Sequence, residues 1–316
     1  MLPGGIILDT NVWRYINDAQ LENKLLVASH RSGVRILAAP SVLYEALNTD
    51  SPDLRKSLVR IITNSRWHRL LPEAFQECEE ILYEIKRIRP EWLLPNPDLI
   101  WRERNLYDWK RLRKGLWERA RKETAEIAKV ARFPYLDEAR EQARLRRNSI
   151  ATVNPKEWKN SPWVQIPEGT SNSGSERIKL WRFEGCNVVR KHLSIPTSPY
   201  RDWLLPFLNL PKISKTSWSN FWFYEVDEEA MPRHQLRTLC EWQQGFHKVS
   251  PGTPGDSQLA AYLTDAQYIC SADKIFIQIV EDISAQISFS IAKPIRISGG
   301  SAGMQQLLQW FASPDK

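Results

Sequence analysis

Four acidic residues could do chemistry together: Asp9 and Glu45 near the start of the chain, Asp256 and Asp273 near its end. Each lies where a short apolar run meets a helix-like pattern. Carboxylates at the C-terminal ends of parallel strands project into the crevice where open α/β sheets bind ligands. Three or four in one place repel one another and stay ionised only beside a neutralising cation. Oxygen-only ligands favour Mg²⁺ or Mn²⁺ over zinc. The chemistry implied is hydrolysis of a phosphodiester by a water on such an ion, with the metal offsetting the charge that develops on phosphorus. Taken singly, each acid also reads as a helix cap or a solvated helix residue. The combination in order is what distinguishes them.

The elements that must position these acids are legible in pattern. Gly5-Ile6-Ile7-Leu8 reads as a buried parallel strand ending at Asp9. Asp9-Thr10-Asn11 offers caps for a helix starting near Val12. Residues 20–31 read as helix and Val34 to Ala39 as a second strand. Pro40-Ser41 opens the next helix, with Ser41 as its expected N-cap and Glu45 one turn inside. Helices are expected at 51–64 and 73–88, with a short extended piece from Arg66 to Leu71. After Pro90, residues 99–148 read as one or two long charged helices broken at Phe133-Pro134, and 149–234 as irregular, with an exposed loop at 168–175. Order resumes with a helix at 235–247. A turn-rich loop at 250–255 delivers Asp256, followed by a helix from Ser257 to Leu263. A strand from Gln267 to Cys270, a helix at 274–287, a strand from Ile295 to Ile297 and a helix through Trp310 complete the chain. Strands alternating with helices predict an α/β fold with a parallel sheet flanked by helices, a three-layer arrangement. Its parts are expected at 1–89 and 236–316, interrupted by a mainly helical, basic insertion at 90–235. Eleven of the fourteen tryptophans fall between Trp92 and Trp242, so that stretch reads as an ordered subdomain.

Composition narrows the classes. The 316 residues are 42% hydrophobic and 26% charged, as in a globular chain with a substantial core. No apolar run approaches the roughly 18 residues that span a membrane. The N-terminus lacks a signal-peptide pattern, so a cytoplasmic location is expected. Cys78, Cys186, Cys240 and Cys270 form no CxxC pair and read as buried free thiols. The five histidines make no HxxxH or HExxH, and no GxGxxG or GxxxxGK[ST] occurs. Asp9 followed by Asn11 lacks the second aspartate expected of an aspartyl phosphotransferase.

The net charge is +7, and residues 101–150 hold fifteen Lys or Arg against eight Asp or Glu, an excess as large as that of the whole chain. Such a segment attracts nucleic acid. Arg102, Arg104, Lys110, Arg111, Arg113 and Lys114 are the expected phosphate contacts. A helix laced with ion pairs such as Glu118 with Lys122 is the ordinary alternative. Trp101, Trp109 and Trp117 recur every eight residues. They read as a packing stripe in preference to a platform for unpaired bases.

The runs IILDTNVW, PSVLYEAL, GDSQLAAYL and AQYICSADKIF together resemble the PIN domain, over roughly 1–88 and 236–311. That family has a parallel sheet flanked by helices, and many members are metal-dependent ribonucleases. The resemblance implies that Asp9, Glu45, Asp256 and Asp273 are catalytic metal ligands for Mg²⁺ or Mn²⁺. It implies cleavage of RNA to a 5′-phosphate and a 3′-hydroxyl. Thr10, Asn11 and Ser271 would orient the ligands, and Asp265 is a candidate auxiliary ligand, though capping or exposure is the favoured reading there. Compact relatives include toxins held by a small inhibitory protein, so such a partner is a further expectation. Compact members lack the 90–235 segment, whose role the resemblance does not cover. A nucleic-acid-binding or protein-interaction protein on a non-cutting PIN-like core is the alternative reading.

Overall fold

The computed structural model describes residues 4–130, four positions between 141 and 148 (Glu141, Arg144, Leu145 and Asn148), 181–196, 198–247 and 253–313. The break expected at Phe133-Pro134 and the loop expected at 168–175 lie outside the described residues.

A five-stranded, all-parallel sheet organises the chain. Its strands are β1 (Gly5–Leu8), β2 (Arg35–Ala38), β3 (His68–Arg69), β4 (Tyr268–Ser271) and β5 (Lys293–Arg296), in the spatial order β3-β2-β1-β4-β5. Ile6 pairs with Ile36 on one side and with Tyr268 on the other. All four residues of β1 are buried, because helices cover both faces and a central parallel strand must then be apolar throughout. The chain builds outward from β1 through β2 to β3, then returns to add β4 and β5 on the opposite side. The strand order therefore reverses at β1, and the crevice beyond the carboxyl ends of β1 and β4 is where such sheets take ligands.

Helices α1 (Thr10–Asp18), α2 (Glu22–Ser32), α3 (Pro40–Leu47), α4 (Pro52–Ile62) and α5 (Glu73–Ile88) follow the first three strands. Pro40 occupies the first turn of α3, where its missing N–H costs nothing, and Ala39 is the N-cap. Ser41 is therefore not the cap that was expected. It lies inside the helix, buried, and its hydroxyl has no hydrogen-bond partner.

One or two long charged helices were expected over 99–148; in its described part, up to Val130, the chain instead forms α6 (Ile100–Lys110), α7 (Leu116–Lys122) and α8 (Thr124–Val130). The chain turns at Arg111 to Gly115, where Lys114 takes a left-handed φ of 59°. This fold-back sets Trp109 edge-on to Trp117 with ring centroids 6.0 Å apart, and both join the core around the sheet. Burial of two large aromatics outweighs one strained residue. Residues 181–231, expected to be irregular, contain α9 (Arg190–Ser194), α10 (Pro199–Leu204), α11 (Lys215–Asn220) and wider turns at 185–189 and 221–225. They wrap a second apolar cluster in which Trp92, Trp181, Trp203, Trp218 and Trp222 pack with Ala74, Cys78, Ile81 and Ile85 of α5.

The final third consists of α12 (Pro232–Gln244), α13 (Thr253–Ala260), β4, α14 (Lys274–Ser284), β5 and α15 (Gly300–Ala312). Helix α13 starts earlier and ends earlier than expected, so Asp256 sits in its first turn and not in a preceding loop. All four cysteines are free and buried. Among the described residues no helix is long and apolar enough to cross a membrane.

Candidate active site

Asp9 follows β1 directly and is the N-cap of α1, accepting from the Thr10 amide at 2.6 Å. Its own N–H extends the ladder to Cys270 O of the neighbouring strand, at 3.0 Å. Its second oxygen, Oδ2, accepts from Ser271 Oγ and from Asn11 Nδ2. Asn11 also donates to Ser271 Oγ at 3.1 Å and accepts from the Ala272 amide at 3.0 Å, and Ser271 Oγ accepts from the Asp273 amide at 2.9 Å. The β1–α1 and β4–α14 turns are thus clasped into one unit. Asn11 and Ser271 fix the orientation of the Asp9 carboxylate and the path of the backbone into Asp273. That is the arrangement by which outer partners orient a metal ligand.

Asp273 is exposed and caps α14, its Oδ1 accepting from the amides of Ile275 and Phe276 at 2.7 and 3.1 Å. Its other oxygen makes neither of these bonds. Glu45, one turn into α3, accepts from Thr10 Oγ1 at 2.7 Å. Thr10 therefore joins the Asp9 turn to the Glu45 helix. Helix α13 packs on both α12 and α3, and its Gly255 approaches Glu45 closely. A Cβ at position 255 would sit 3.2 Å from Glu45 Oε2. Glycine permits this approach, and Asp256 is the next residue. Sequence reading did not single out Gly255. Its only signal was a glycine directly before the acid in a turn-rich run.

The electrostatics follow from this crowding. Burial pushes the Asp256 carboxyl well above the usual carboxylate range, and the charges of Asp9, Glu45 and Asp273 push it further. Asp256 keeps part of its surface open but is hemmed in on most sides. Asp9 is also raised, chiefly by burial and in part by Asp273, against the opposing bonds from Ser271, Thr10 and Asn11. Among the described residues, the charges acting most strongly on Asp9 and Asp256 are carboxylates. The structure therefore brings Asp9, Glu45, Asp256 and Asp273 within reach of one another's fields, with Thr10, Asn11 and Ser271 as their partners.

Asp265 does not join them. It precedes β4 and so lies at the opposite end of that strand, where Arg233 of α12 grips both its oxygens, one at 2.7 Å. It is a structural ion-pair partner and not an auxiliary ligand. The basic residues also divide. Arg102 turns inward, donating to Glu79 at 2.7 Å and lying over the rings of Phe75 and Phe207. Arg111 pairs with Asp108 at 2.7 Å and lies over Tyr107. Arg102 is occupied in packing α6 on α5, and Arg111 within its own segment. Arg104, Lys110, Arg113 and Lys114 are exposed. Of the three spaced tryptophans only Trp101 retains substantial exposure, 44%.

The donor set suits a hard divalent cation: four carboxylates and no sulfur. As they stand, no three His, Cys, Asp or Glu side chains among the described residues are close enough to grip one ion. Mg²⁺ characteristically uses one or two carboxylates and keeps several waters, and such a shell needs no tighter convergence. Comparison with known proteins yields no match: no family model, curated protein or solved structure aligns with this chain.

Proposed function

We propose that this chain is a PIN-like, metal-dependent nuclease whose substrate is RNA. The observation that carries this reading is that the charges of Asp9, Glu45 and Asp273 converge on Asp256, beyond the carboxyl ends of β1, β2 and β4. A site that concentrates negative charge in this way is suited to taking a cation from solution.

Asp9, Glu45, Asp256 and Asp273 would hold Mg²⁺ or Mn²⁺, which supplies charge neutralisation and a water of lowered pKa. Asn11 and Ser271 hold the Asp9 carboxylate in a single rotamer, so one orientation is presented to ligand. Thr10 does the same for Glu45. The amino ends of α1 and α14 also point their dipoles into the crevice, which favours a phosphate drawn against the acids.

The test is cleavage of labelled RNA with Mn²⁺, with EDTA as control. Asp9→Asn abolishes cleavage while leaving the circular dichroism spectrum unchanged. Retained turnover in that variant refutes the mechanism. A second reading, a nucleic-acid-binding protein that does not cut, is favoured by the absence of a ready three-ligand group among the described residues. RNA binding that persists in EDTA, without turnover of the wild-type chain in Mn²⁺, selects it.

A further inference from the structure

The α4 and α7 helices enclose an open cleft of about 300 Å³ lined by Lys56, Arg60, Glu118, Arg121 and Lys122. Four cations face one carboxylate, a net charge of +3 in one concavity. All four cationic residues are exposed. Lys56 and Arg60 are one turn apart on α4 and so share a face. Arg121 and Lys122 come from α7, some sixty residues later. Lys56 and Arg121 make no ion pair among the described residues. The other two are held loosely: Arg60 reaches Glu22 at 3.4 Å, and Lys122 reaches Glu118 at 2.6 Å with its side chain 69% exposed. Exposed pairs of this kind contribute at most about 1 kcal/mol and exchange readily for another anion. Glu118 is further engaged by the Lys114 amide and lies in the field of Arg113, so the basic rim continues toward the α6–α7 turn.

We infer that this cleft is a phosphate-backbone track for single-stranded nucleic acid. The inference rests on the reading above only in taking nucleic acid as the substrate class. Cations contributed to one concavity by two helices neutralise successive phosphates better than a single row does, and a concave wall focuses their field. Wall α4 packs directly on α1 and α3, the helices bearing Thr10, Asn11 and Glu45. A strand lying in the cleft is therefore one helix away from the acids. The lining offers no aromatic face and no hydrogen-bonding amide. The track accordingly reads charge and not base identity. It also relocates the expected contacts: Arg102 and Arg111 are spent on packing, while Lys56, Arg60, Arg121 and Lys122 take up the role.

The experiment measures binding of a fluorescent homopolymeric RNA to the full chain in EDTA across a range of KCl. The variant K56A/R60A/R121A/K122A is compared with the wild type and with R104A/K110A on the exposed side of α6. The four-fold variant should lose affinity at least about tenfold, and the slope of log K against log salt should shrink by about 2, as expected for the loss of roughly three single-strand phosphate contacts. R104A/K110A should change both less. Unchanged affinity and slope in the four-fold variant, or no RNA binding by the wild type, overturns the inference. So does loss of polyglutamate binding with RNA binding intact, which would mark the cleft as a dock for an acidic protein. Because binding is read without metal, the result stands apart from whether Asp9→Asn abolishes cleavage. All four side chains are exposed, and an unchanged circular dichroism spectrum verifies folding.

Discussion

Two clusters of acids differ in how their charge is met. The Asp9 cluster gathers four carboxylates, and the charges that act most on Asp256 are other carboxylates. The second cluster lies between α5 and α12. There Glu73, Glu77, Glu80 and Glu84 occupy one face of α5, and arginines answer them. Arg237 Nε bonds both oxygens of the fully buried Glu77 at 3.0 Å and its Nη1 reaches Glu241 at 3.1 Å. Arg233 reaches Glu80 at 3.4 Å and also holds Asp265. Glu73 accepts from Tyr262 Oη at 2.8 Å, and Glu84 takes a bidentate pair from Arg87. Acids that are meant to stay inside a fold bring their own cations with them. On the reading proposed above, the Asp9 cluster draws its cation from outside, and that difference separates architecture from chemistry more cleanly than acid content does.

Substitutions can break this contrast, and the largest effect falls on activity. Asp9→Asn takes metal-dependent RNA cleavage to background while the melting temperature stays within a few degrees of wild type. If the Asp9 cluster were a structural network like its neighbour, the variant would melt early instead. Next in size is the converse change. Glu77→Ala strands a buried Arg237 and costs roughly 3–5 kcal/mol in denaturant unfolding, whereas Glu77→Leu with Arg237→Met, which removes both charges, is near neutral. Cleavage per folded molecule is unaffected in either case.

The third prediction sharpens the contrast through linkage. Mn²⁺ at a hundred times its dissociation constant stabilises the wild type by about 2.7 kcal/mol in thermal melts. Asp256→Asn raises the melting temperature in EDTA by relieving repulsion and loses most of the Mn²⁺ response. A Mn²⁺ shift that survives in Asp256→Asn would detach the ion from this cluster. The smallest effect concerns pH. Burial pushes the Glu80 carboxyl up to about 8, against the pull of Arg233. A raised folded-state pKa means that the native chain holds a proton the unfolded chain has released. The stability it gives is complete below the unfolded value near 4.5 and is lost as pH rises through about 8. Urea unfolding from pH 5 to 9 should show this decline, and Glu80→Gln should flatten it.

Much of the frame was legible because it is local. Apolar runs ending in Asp9 and before Asp273 announce buried strands, and the acids at their ends are caps by residue type. Glu45 was placed by counting one turn from Pro40. What escaped was set by partners distant in sequence. Asp265 looks like any acid near a strand until Arg233 arrives from 32 residues earlier to occupy both its oxygens. Ser41 has a capping side chain, but Pro40 is already the first helical residue, so the cap falls two residues sooner, at Ala39. The Trp101, Trp109 and Trp117 spacing assumed one continuous helix, and the turn at Arg111 to Gly115 removes that premise. Short helices over 181–231 owe their order to tryptophan packing on α5, which no local pattern reports. The α4–α7 cleft was hidden for the same reason: the basic excess of 101–150 was visible, but nothing local reports that α4 brings Lys56 and Arg60 beside α7.

The borders of the sheet carry a consequence for how these molecules behave when crowded. Strand β3 is only two residues long. On the opposite margin, Lys293 and Ile297 donate their amides inward to Gln267 and Ser271. Alternation turns the nitrogens of Pro294 and Arg296 outward, and proline has no hydrogen to offer. A foreign strand approaching either flank finds too little backbone to zip onto, with charged side chains at the margin besides. Strand addition is therefore disfavoured at both flanks of the sheet.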